Sequence, residues 1–446
     1  MLAYAPAVMT GQVHDGAGYI RAARRGLAWG DQEPSGYPLF LRVVHAVSHE
    51  FAFTIAIQHA LGLATGVLLF LAVRRLGGPA WLGLVPAAVV WLGGDQLFLE
   101  HAPLSESLFT VLLAATLYAG IRCLDGDWRW PIAAGALSAS LLSVRTVGLP
   151  IPLVTLVWIA ATRWRTGLPA RRGVAAGLAA TILVAGAYGT LRYEANGRWS
   201  LRPQASGWVL YARAAQFADC REFTPPHGTA ALCDATPPRK RRGPSYYLWF
   251  GGPAHRAFGL PDAHDREVGE FARAAMVHQP LDFLEVAATD LVRYLDPEFG
   301  PAKRAAYSGP SAVAFPSGRP TQDAPLRHEA NLYYAPTRPQ RAGAAEGLRS
   351  YQRIARVNGW ALLVLLALGV VGAFLARGRV RFGLILLLAV ALELLLMPVF
   401  TSAEWRYAVP AEGAIACAAA VGGWLAVSAL TRIGRPGWHR RARRAA

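Results

Sequence analysis

The side chains able to do chemistry in this sequence stand at the borders of long apolar stretches, in five groups. Asp15 opens the first, preceded by His14 and followed by Tyr19 and later Tyr37. A carboxylate caught between membrane and protein can act as general base toward a hydroxyl, its proton affinity raised by desolvation or lowered by neighbouring arginines. The same residue can instead cap a helix over 16–25, a position that aspartate favours. Asp95, then Glu100 and His101, and after Pro103 Ser105 and Glu106 form the second group. Acids beside a short apolar span are costly unless solvated or functional, although Ser105 or Glu106 can equally support the start of a helix. Arg145 is the third group and Arg406 with Tyr407 the fourth. A guanidinium fork matches phosphate oxygens, and a tyrosine beside it donates one more hydrogen bond. The alternative for each arginine is a structural ion pair with Glu106, Glu404 or Glu412. The fifth joins Arg239, Lys240, Arg241 and Arg242 to Tyr246, Tyr247 and Trp249. It suits lipid phosphate or a stacked glycan, but reads more simply as a solvated run of charge.

No glycine-rich phosphate loop, zinc-spaced cysteine and histidine cluster, nucleophile elbow or internal repeat accompanies these groups, and no metal ligands are assigned. Chemistry here requires scattered polar groups to converge at one face of a membrane, and the apolar stretches must bring them there. With 54% hydrophobic and 16% charged residues over 446 positions and a mean hydropathy of +0.28, the chain is too apolar for one soluble domain. It reads as an all-α polytopic membrane protein. Its formal charge of +17 and pI near 10.3 do not indicate nucleic acid, because the arginines cluster at span ends and line no amphipathic face. The bias toward Arg, Ala, Gly and Pro matches a high-GC bacterial genome. No cleavable signal peptide is evident. The spans themselves address the chain to the bacterial inner (plasma) membrane.

Residues 1–9 are apolar but supply only half of the ~20 residues a span needs. Full spans are expected over 51–73, 81–92, 104–121, 131–143, 147–161 and 173–191, then over 358–376, 383–400 and 413–430, nine or ten in all with the partial one. Arginines crowd alternate ends, with seventeen in the loops of one side and the tail, whereas the short turns opposite hold only Arg145 and Arg406. Because cytoplasmic loops retain Lys and Arg, this asymmetry sets the orientation. Arg145 and Arg406 run against it and need partners. The chain then divides into a transmembrane core over 1–192 that includes a first outer loop at 13–50, an extracytoplasmic domain over 193–357, C-terminal spans over 358–430 and a basic cytoplasmic tail over 431–446. The domain is expected to be of mixed or irregular structure between the seventh and eighth spans. The spans are read as nearly free of ionisable groups.

Within that domain Cys220 and Cys233 lie in a proline-rich segment facing an oxidising compartment. A disulfide there would stabilise by ~3 kcal/mol, free thiols being the alternative. Cys123 and Cys417 read as packing residues. Residues 265–295 have helical spacing in two pieces broken at Pro280, with an apolar face for the membrane surface or the spans. Residues 347–356 form a basic juxtamembrane helix, and 297–339 are loop-like.

Several of these stretches occur together in order. Asp15, Gly16 and Tyr19 are followed by Ser-Gly-Tyr-Pro-Leu-Phe-Leu at 35–41, Glu-His-x-x-x-Ser-Glu-Ser-Leu-Phe at 100–109, Val-Arg-x-Val-Gly-Leu at 144–149 and Arg-Tyr-x-x-Pro at 406–410. The set resembles the type C glycosyltransferases. More narrowly, it is similar to the bacterial lipid-carrier-dependent branch related to protein O-mannosyltransferases and aminoarabinose transferases. The resemblance covers 13–164 and 358–430. It implies a type C bundle of about nine to ten spans that passes a sugar, hexosyl (mannose for example) or pentosyl, from a polyprenyl-phosphate donor to an acceptor hydroxyl at the outer face, with inversion. Asp15 then matches the acid that activates the hydroxyl. Glu100 and His101 support it in catalysis, Tyr19, Tyr37 and Glu106 position donor and acceptor, and Arg145, Arg406 and Tyr407 hold the departing lipid phosphate. Such stabilisation of a leaving group is where this chemistry needs most help. No cofactor is required beyond the donor lipid, with room left for a divalent cation. The partners implied are the bilayer, the polyprenyl-linked sugar and a glycan, protein or lipid acceptor. A ligase of lipid-linked oligosaccharide and a non-enzymatic transporter or envelope scaffold remain as alternatives. A transporter would keep its polar residues near mid-bilayer on broken helices.

Overall fold

The computed structural model describes residues 15–25, 34–202, 206–261, 264–296, 298–299, 303, 306–307, 315, 324–336, 342–401 and 404–433. The apolar segment at 1–9, His14, most of 297–323 and the tail from 434 lie outside them. Among the described residues there is no strand. Two short helices, α1 (Asp15–Arg25) and α2 (Gly36–Val47), precede α3 (Phe51–Arg75), α4 (Ala80–Leu92) with its continuation α5 (Gly94–His101), α6 (Glu106–Arg122), α7 (Arg129–Val144), α8 (Ile151–Arg165) and α9 (Ala170–Asn196). An inserted domain follows, made of α10 (Ser206–Ala214), α11 (Pro244–Trp249), α12 (Pro253–Phe258), α13 (Asp265–His278) and α14 (Pro280–Leu295). Helices α15 (Ala324–Tyr333) and α16 (Ala342–Ile354) lead back to α17 (Gly359–Leu375), α18 (Gly378–Val399) and α19 (Val409–Ile433).

Six stretches are each long and apolar enough to cross a membrane. Two bent pairs, α4 with α5 at 52° and the end of α16 with α17 at 44°, raise the number to eight. The expectation of nine to ten counted α7 and the stretch at 1–9. The 16 residues of α7 extend only ~24 Å, short of a ~30 Å hydrocarbon core.

Small and polar residues join large apolar ones at the helix contacts, and many large apolar side chains face outward, as expected when lipid and not water surrounds them. Along α3 the buried residues include Thr54, Gln58, Gly62, Thr65 and Leu69, spaced three or four apart, while Leu63, Val67 and Leu71 are exposed. Helices α17 and α19 meet backbone to backbone, since a Cβ on Gly372 would stand 2.2 Å from the Cα of Gly422.

The inserted domain differs from the mixed or irregular structure expected of it. It is built from short helices and 3-10 turns around Trp208, Tyr211, Val268 and Phe271. Cys220 and Cys233 are joined in a disulfide, with Cα atoms 6.0 Å apart. The break expected at Pro280 is present, since α13 ends at His278 and the proline begins α14, a place where the missing N–H costs nothing. At the opposite end of the bundle Arg75, Arg122 and Arg379 gather around Asp125.

Candidate functional site

Two turns on different elements carry the arginines of interest. Arg145 ends α7 in extended backbone, with φ −149° and ψ 141°, which swings its side chain off the helix before the 3-10 turn Thr146–Gly148. Arg406 sits in the 3-10 turn Trp405–Tyr407 that leads into α19. The two guanidiniums meet over one ring. Tyr407 has the Arg145 Cζ at 5.1 Å and the Arg406 Cζ at 5.2 Å from its centroid, inside the range for cation–π attraction.

Two buried cations this close require counter-charge, and three carboxylates supply it. Arg145 Nη1 lies 2.5 Å from Glu106 Oε1, and Arg406 Nη1 lies 3.8 Å from the same oxygen. Arg406 Nε donates to Glu404 Oε2 at 2.7 Å, and its Nη2 donates to Asp15 Oδ2 at 2.7 Å. Arg145 also donates to Ser105 Oγ, which shares a hydrogen bond with the Tyr19 hydroxyl. Arg145 is 8% exposed, Arg406 5% and Glu106 0%. Burial alone disfavours the Arg406 cation, but Asp15 and Glu404 outweigh it and raise its pKa well above the usual value. Burial, then Glu404, pushes the Tyr407 hydroxyl up to about 12, so it stays protonated and able to donate. Among the described residues Arg406 Nη1 and Glu106 Oε2 have no hydrogen-bond partner, whereas Glu106 Oε1 is met by Arg145. Buried polar atoms are rarely left so without a reason.

These groups form the polar end of a cavity of about 310 Å³ lined by Asp15, Tyr19, Arg145, Arg406 and Tyr407. Its other walls are mostly apolar, with Leu142, Val147 and Met397 from the bundle and Val209, Leu248 and Trp249 from the inserted domain, while Arg202, Thr146, Ser206 and Thr401 add polar groups. A mostly apolar cavity with a few converging polar groups has the build of a small-molecule or lipid-headgroup site. The inserted domain also holds the turn that carries Arg406. Ser245 Oγ donates to Glu404 Oε1 at 2.8 Å, Tyr294 donates to the Glu404 carbonyl at 3.2 Å, and Arg213 Nε donates to the Thr401 carbonyl at 3.2 Å.

Glu100 and His101 go elsewhere. Neither lines the cavity. Glu100 Oε2 pairs with His59 Nδ1 at 2.8 Å, Gln96 Nε2 donates to Glu100 Oε1 at 2.9 Å, and His59 Nε2 meets His101 Nδ1 at 3.0 Å. Gly62 makes that approach to α3 possible, since a Cβ there would stand 1.9 Å from Glu100 Oε1. Tyr37 lies between the two clusters, fully buried, donating to Gln58 Oε1 and edge-on to Tyr19 at 4.9 Å. Asp15 is the first residue of α1, so its position suits a helix start as well as the Arg406 contact. The ion pairs weighed as an alternative for the arginines are present with Glu106 and Glu404 while both arginines line the cavity.

Two readings change. The spans do contain ionisable groups. His59 lies two turns inside α3, and Glu393 of α18 has two buried carboxylate oxygens with no hydrogen-bond partner among the described residues. A polar residue inside an apolar run was the available signal for both. The basic run at 239–242 is not simply solvated, because Arg241 donates to the carbonyls of Ala215, Ala218, Asp234 and Thr236 and so ties the inserted domain together. Ser245 and Tyr294 gave no sequence signal. No three His, Cys, Asp or Glu side chains among the described residues are placed to hold a metal ion.

The fold and cavity define a polytopic helical membrane protein with paired buried arginines facing an apolar chamber. No protein-family model matches the chain, and no curated protein does. It is similar to two solved structures of ArnT from Cupriavidus metallidurans. One is bound to undecaprenyl phosphate, with 15% identity, a TM-score of 0.36 and coverage of 94% of this chain and 74% of that one. The other is in the apo state, with 14% identity, a TM-score of 0.36 and coverage of 92% and 72%.

Proposed function

We propose that this protein is an integral-membrane glycosyltransferase that moves a sugar from a polyprenyl-phosphate donor to an acceptor hydroxyl at the extracytoplasmic face, with inversion at the anomeric carbon. The observation that supports it most is the meeting of Arg145 and Arg406 on Tyr407 in one half-apolar cavity that also holds Asp15. The phosphate sits against the two guanidiniums and the first isoprene units lie along Leu142, Val147 and Met397. The acceptor oxygen attacks the anomeric carbon as its proton passes to Asp15, and the bond from that carbon to the phosphate oxygen breaks with its electron pair staying on the phosphate. The leaving lipid phosphate gains negative charge in that step, where fixed cations stabilise the transition state most.

The carboxylates have a part in this. Arg406 holds Asp15 by Nη2 and Glu404 by Nε. A phosphate oxygen that takes the Nη2 position releases Asp15 toward the acceptor, while Glu404 and Glu106 keep both guanidiniums aimed. Glu100 and His101 support the fold of α5 against α3 from outside the cavity.

The test is donor consumption. Proteoliposomes of the wild-type chain are incubated with radiolabelled polyprenyl-phosphate hexoses and pentoses and a membrane extract as acceptor. The expected result is loss of one donor with release of polyprenyl phosphate, and no loss with Asp15→Asn. Donor consumption by Asp15→Asn at the wild-type rate, or none by wild type with any donor, contradicts the proposal.

A further inference from the structure

The inserted domain meets the bundle through α14, which lies across the ends of two spans. Near its start the ring of Phe283 is 5.8 Å from that of Phe400, the residue after α18. At its other end a Cβ on Gly359, the first residue of α17, would stand 2.4 Å from the carbonyl of Leu295. Helix α18 ends and α17 begins at the same end of the bundle, so α14 runs over both where they leave the hydrocarbon. The exposed Trp360 stands at that level on α17, where tryptophans favour the headgroup region.

The two faces of α14 are reversed for a helix in water. Ala287, Asp290 and Tyr294 face the protein, with Asp290 held by Arg213 and Arg293 at 2.6 Å each. Leu281, Leu284 and Val292 face outward, between 50 and 79% exposed. With exposed Ala288 they are spaced three, four and four residues apart and so form one stripe. Val277 at the end of α13 prolongs it. Leucines outside and the ion-paired Asp290 inside match a lipid surrounding, because soluble helices place these residues the other way, and exposed Glu285 and Thr289 run along one edge of the stripe.

We infer that this stripe is a membrane-binding surface seated in the interface of the leaflet next to the inserted domain, with phospholipid as its occupant. The exposed apolar residues Trp360 and Val364 of α17 and Phe400 after α18 continue the same surface into the bilayer. On the opposite face Asp290 holds Arg213, which grips the Thr401 carbonyl, and Tyr294 holds the Glu404 carbonyl. The helix therefore fixes the depth of the turn that bears Arg406, and the cavity opens at headgroup level whatever chemistry occurs in it.

The test uses a nitroxide placed by Leu281→Cys, Leu284→Cys or Val292→Cys, one at a time, in the full chain reconstituted in phosphatidylethanolamine and phosphatidylglycerol vesicles. Cys123 and Cys417 are buried and Cys220 and Cys233 are paired, so the introduced thiol takes the label. Collision with oxygen, which concentrates in lipid, is compared with collision with a water-soluble nickel chelate, and Arg266→Cys on α13 serves as the water-facing control. The expected ratio of oxygen to nickel collision is several-fold higher at all three stripe positions than at the control. A ratio equal to the control means the stripe faces water, and shielding from both reagents means a protein covers it. Either outcome overturns the inference, and three separate sites guard against one substitution disturbing the fold.

Discussion

The two ends of the bundle use the same residue types to opposite effect. At one end Arg75, Arg122 and Arg379 share the carboxylate of Asp125 with their guanidiniums partly in solvent. At the other end Arg145 and Arg406 are buried, and three acids surround two bases. Exposed pairs are screened and contribute ~0–1 kcal/mol each. Pairs of that kind neutralise charge at the end of a bundle and need no further purpose. Burying two like charges side by side is a different matter, since desolvation of each ion costs several kcal/mol unless its partners are well placed. Stability alone would be better served by apolar side chains. Both cations are kept there all the same, and Arg406 Nη1, 3.8 Å from Glu106 Oε1, makes no hydrogen bond among the described residues.

The largest expected effect at the buried end is on turnover. Asp15→Asn keeps the shape of the side chain but cannot take a proton, so turnover should fall ~10²–10⁴-fold with donor binding retained. Initial rates and donor affinity measured on the same preparation check this, and near-wild-type rates would return Asp15 to a capping role. Arg406→Ala should cost ~2–4 kcal/mol in transition-state stabilisation. It should also lower thermal stability, because Glu404, Glu106 and Asp15 lose a buried partner. Arg406→Lys separates the two effects, keeping the charge and most of the stability but losing the fork and therefore donor use. Arg379→Ala at the exposed end should change neither rate nor melting temperature measurably, and a loss there equal to that of Arg406→Ala would erase the distinction between the ends.

Smaller effects lie one layer out. Ser245→Ala removes a hydrogen bond to the Glu404 carboxylate, worth ~1.5–3 kcal/mol for a charged acceptor. The expected result is a lower rate with donor consumption still measurable, and an unchanged rate would mean that the inserted domain does not hold the Arg406 turn. The smallest effect depends on pH. Burial alone would raise the Glu329 carboxyl, but the guanidiniums of Arg21 and Arg24 hold it below the ordinary value. A depressed folded-state pKa contributes stability above the unfolded value, about 4.3, and loses it as pH falls through the folded one. Contact between α1 and α15 should therefore loosen below about pH 4, by no more than ~1 kcal/mol because both arginines are partly exposed. Glu329→Gln should show the same increase in proteolytic cleavage of α1 at pH 6, and equal protection in both proteins would contradict it.

Much of this arrangement was legible in the sequence where a residue broke a rule. Arg145 and Arg406 stand out because they oppose the charge bias of their side, and the structure places them on one ring. Glu100 and His101 were grouped with Glu106 because they are neighbours in sequence. The turn at 102–105 separates them, so that Glu106 opens α6 toward the cavity while Glu100 closes α5 against His59 of α3. Period and polarity can locate an element but not the rotation of one helix end against the next. Ser245 and Tyr294 were invisible because their part depends on a contact between residues more than a hundred positions apart. The helical character of the inserted domain was hidden by its prolines and glycines, which here begin and end short helices.

Recognition of a lipid phosphate by Arg145 and Arg406 together is read by equilibrium binding. Polyprenyl phosphate and the matching neutral polyprenol are titrated into wild-type protein in nanodiscs and into Arg145→Lys and Arg406→Lys, each first shown to keep the wild-type melting temperature. The expected result is that wild type binds the phosphate at least about tenfold more tightly than the alcohol, a difference of about 1.4 kcal/mol, and that each lysine variant loses most of that preference. Equal binding of phosphate and alcohol by wild type, or full preference retained by both variants, would contradict it.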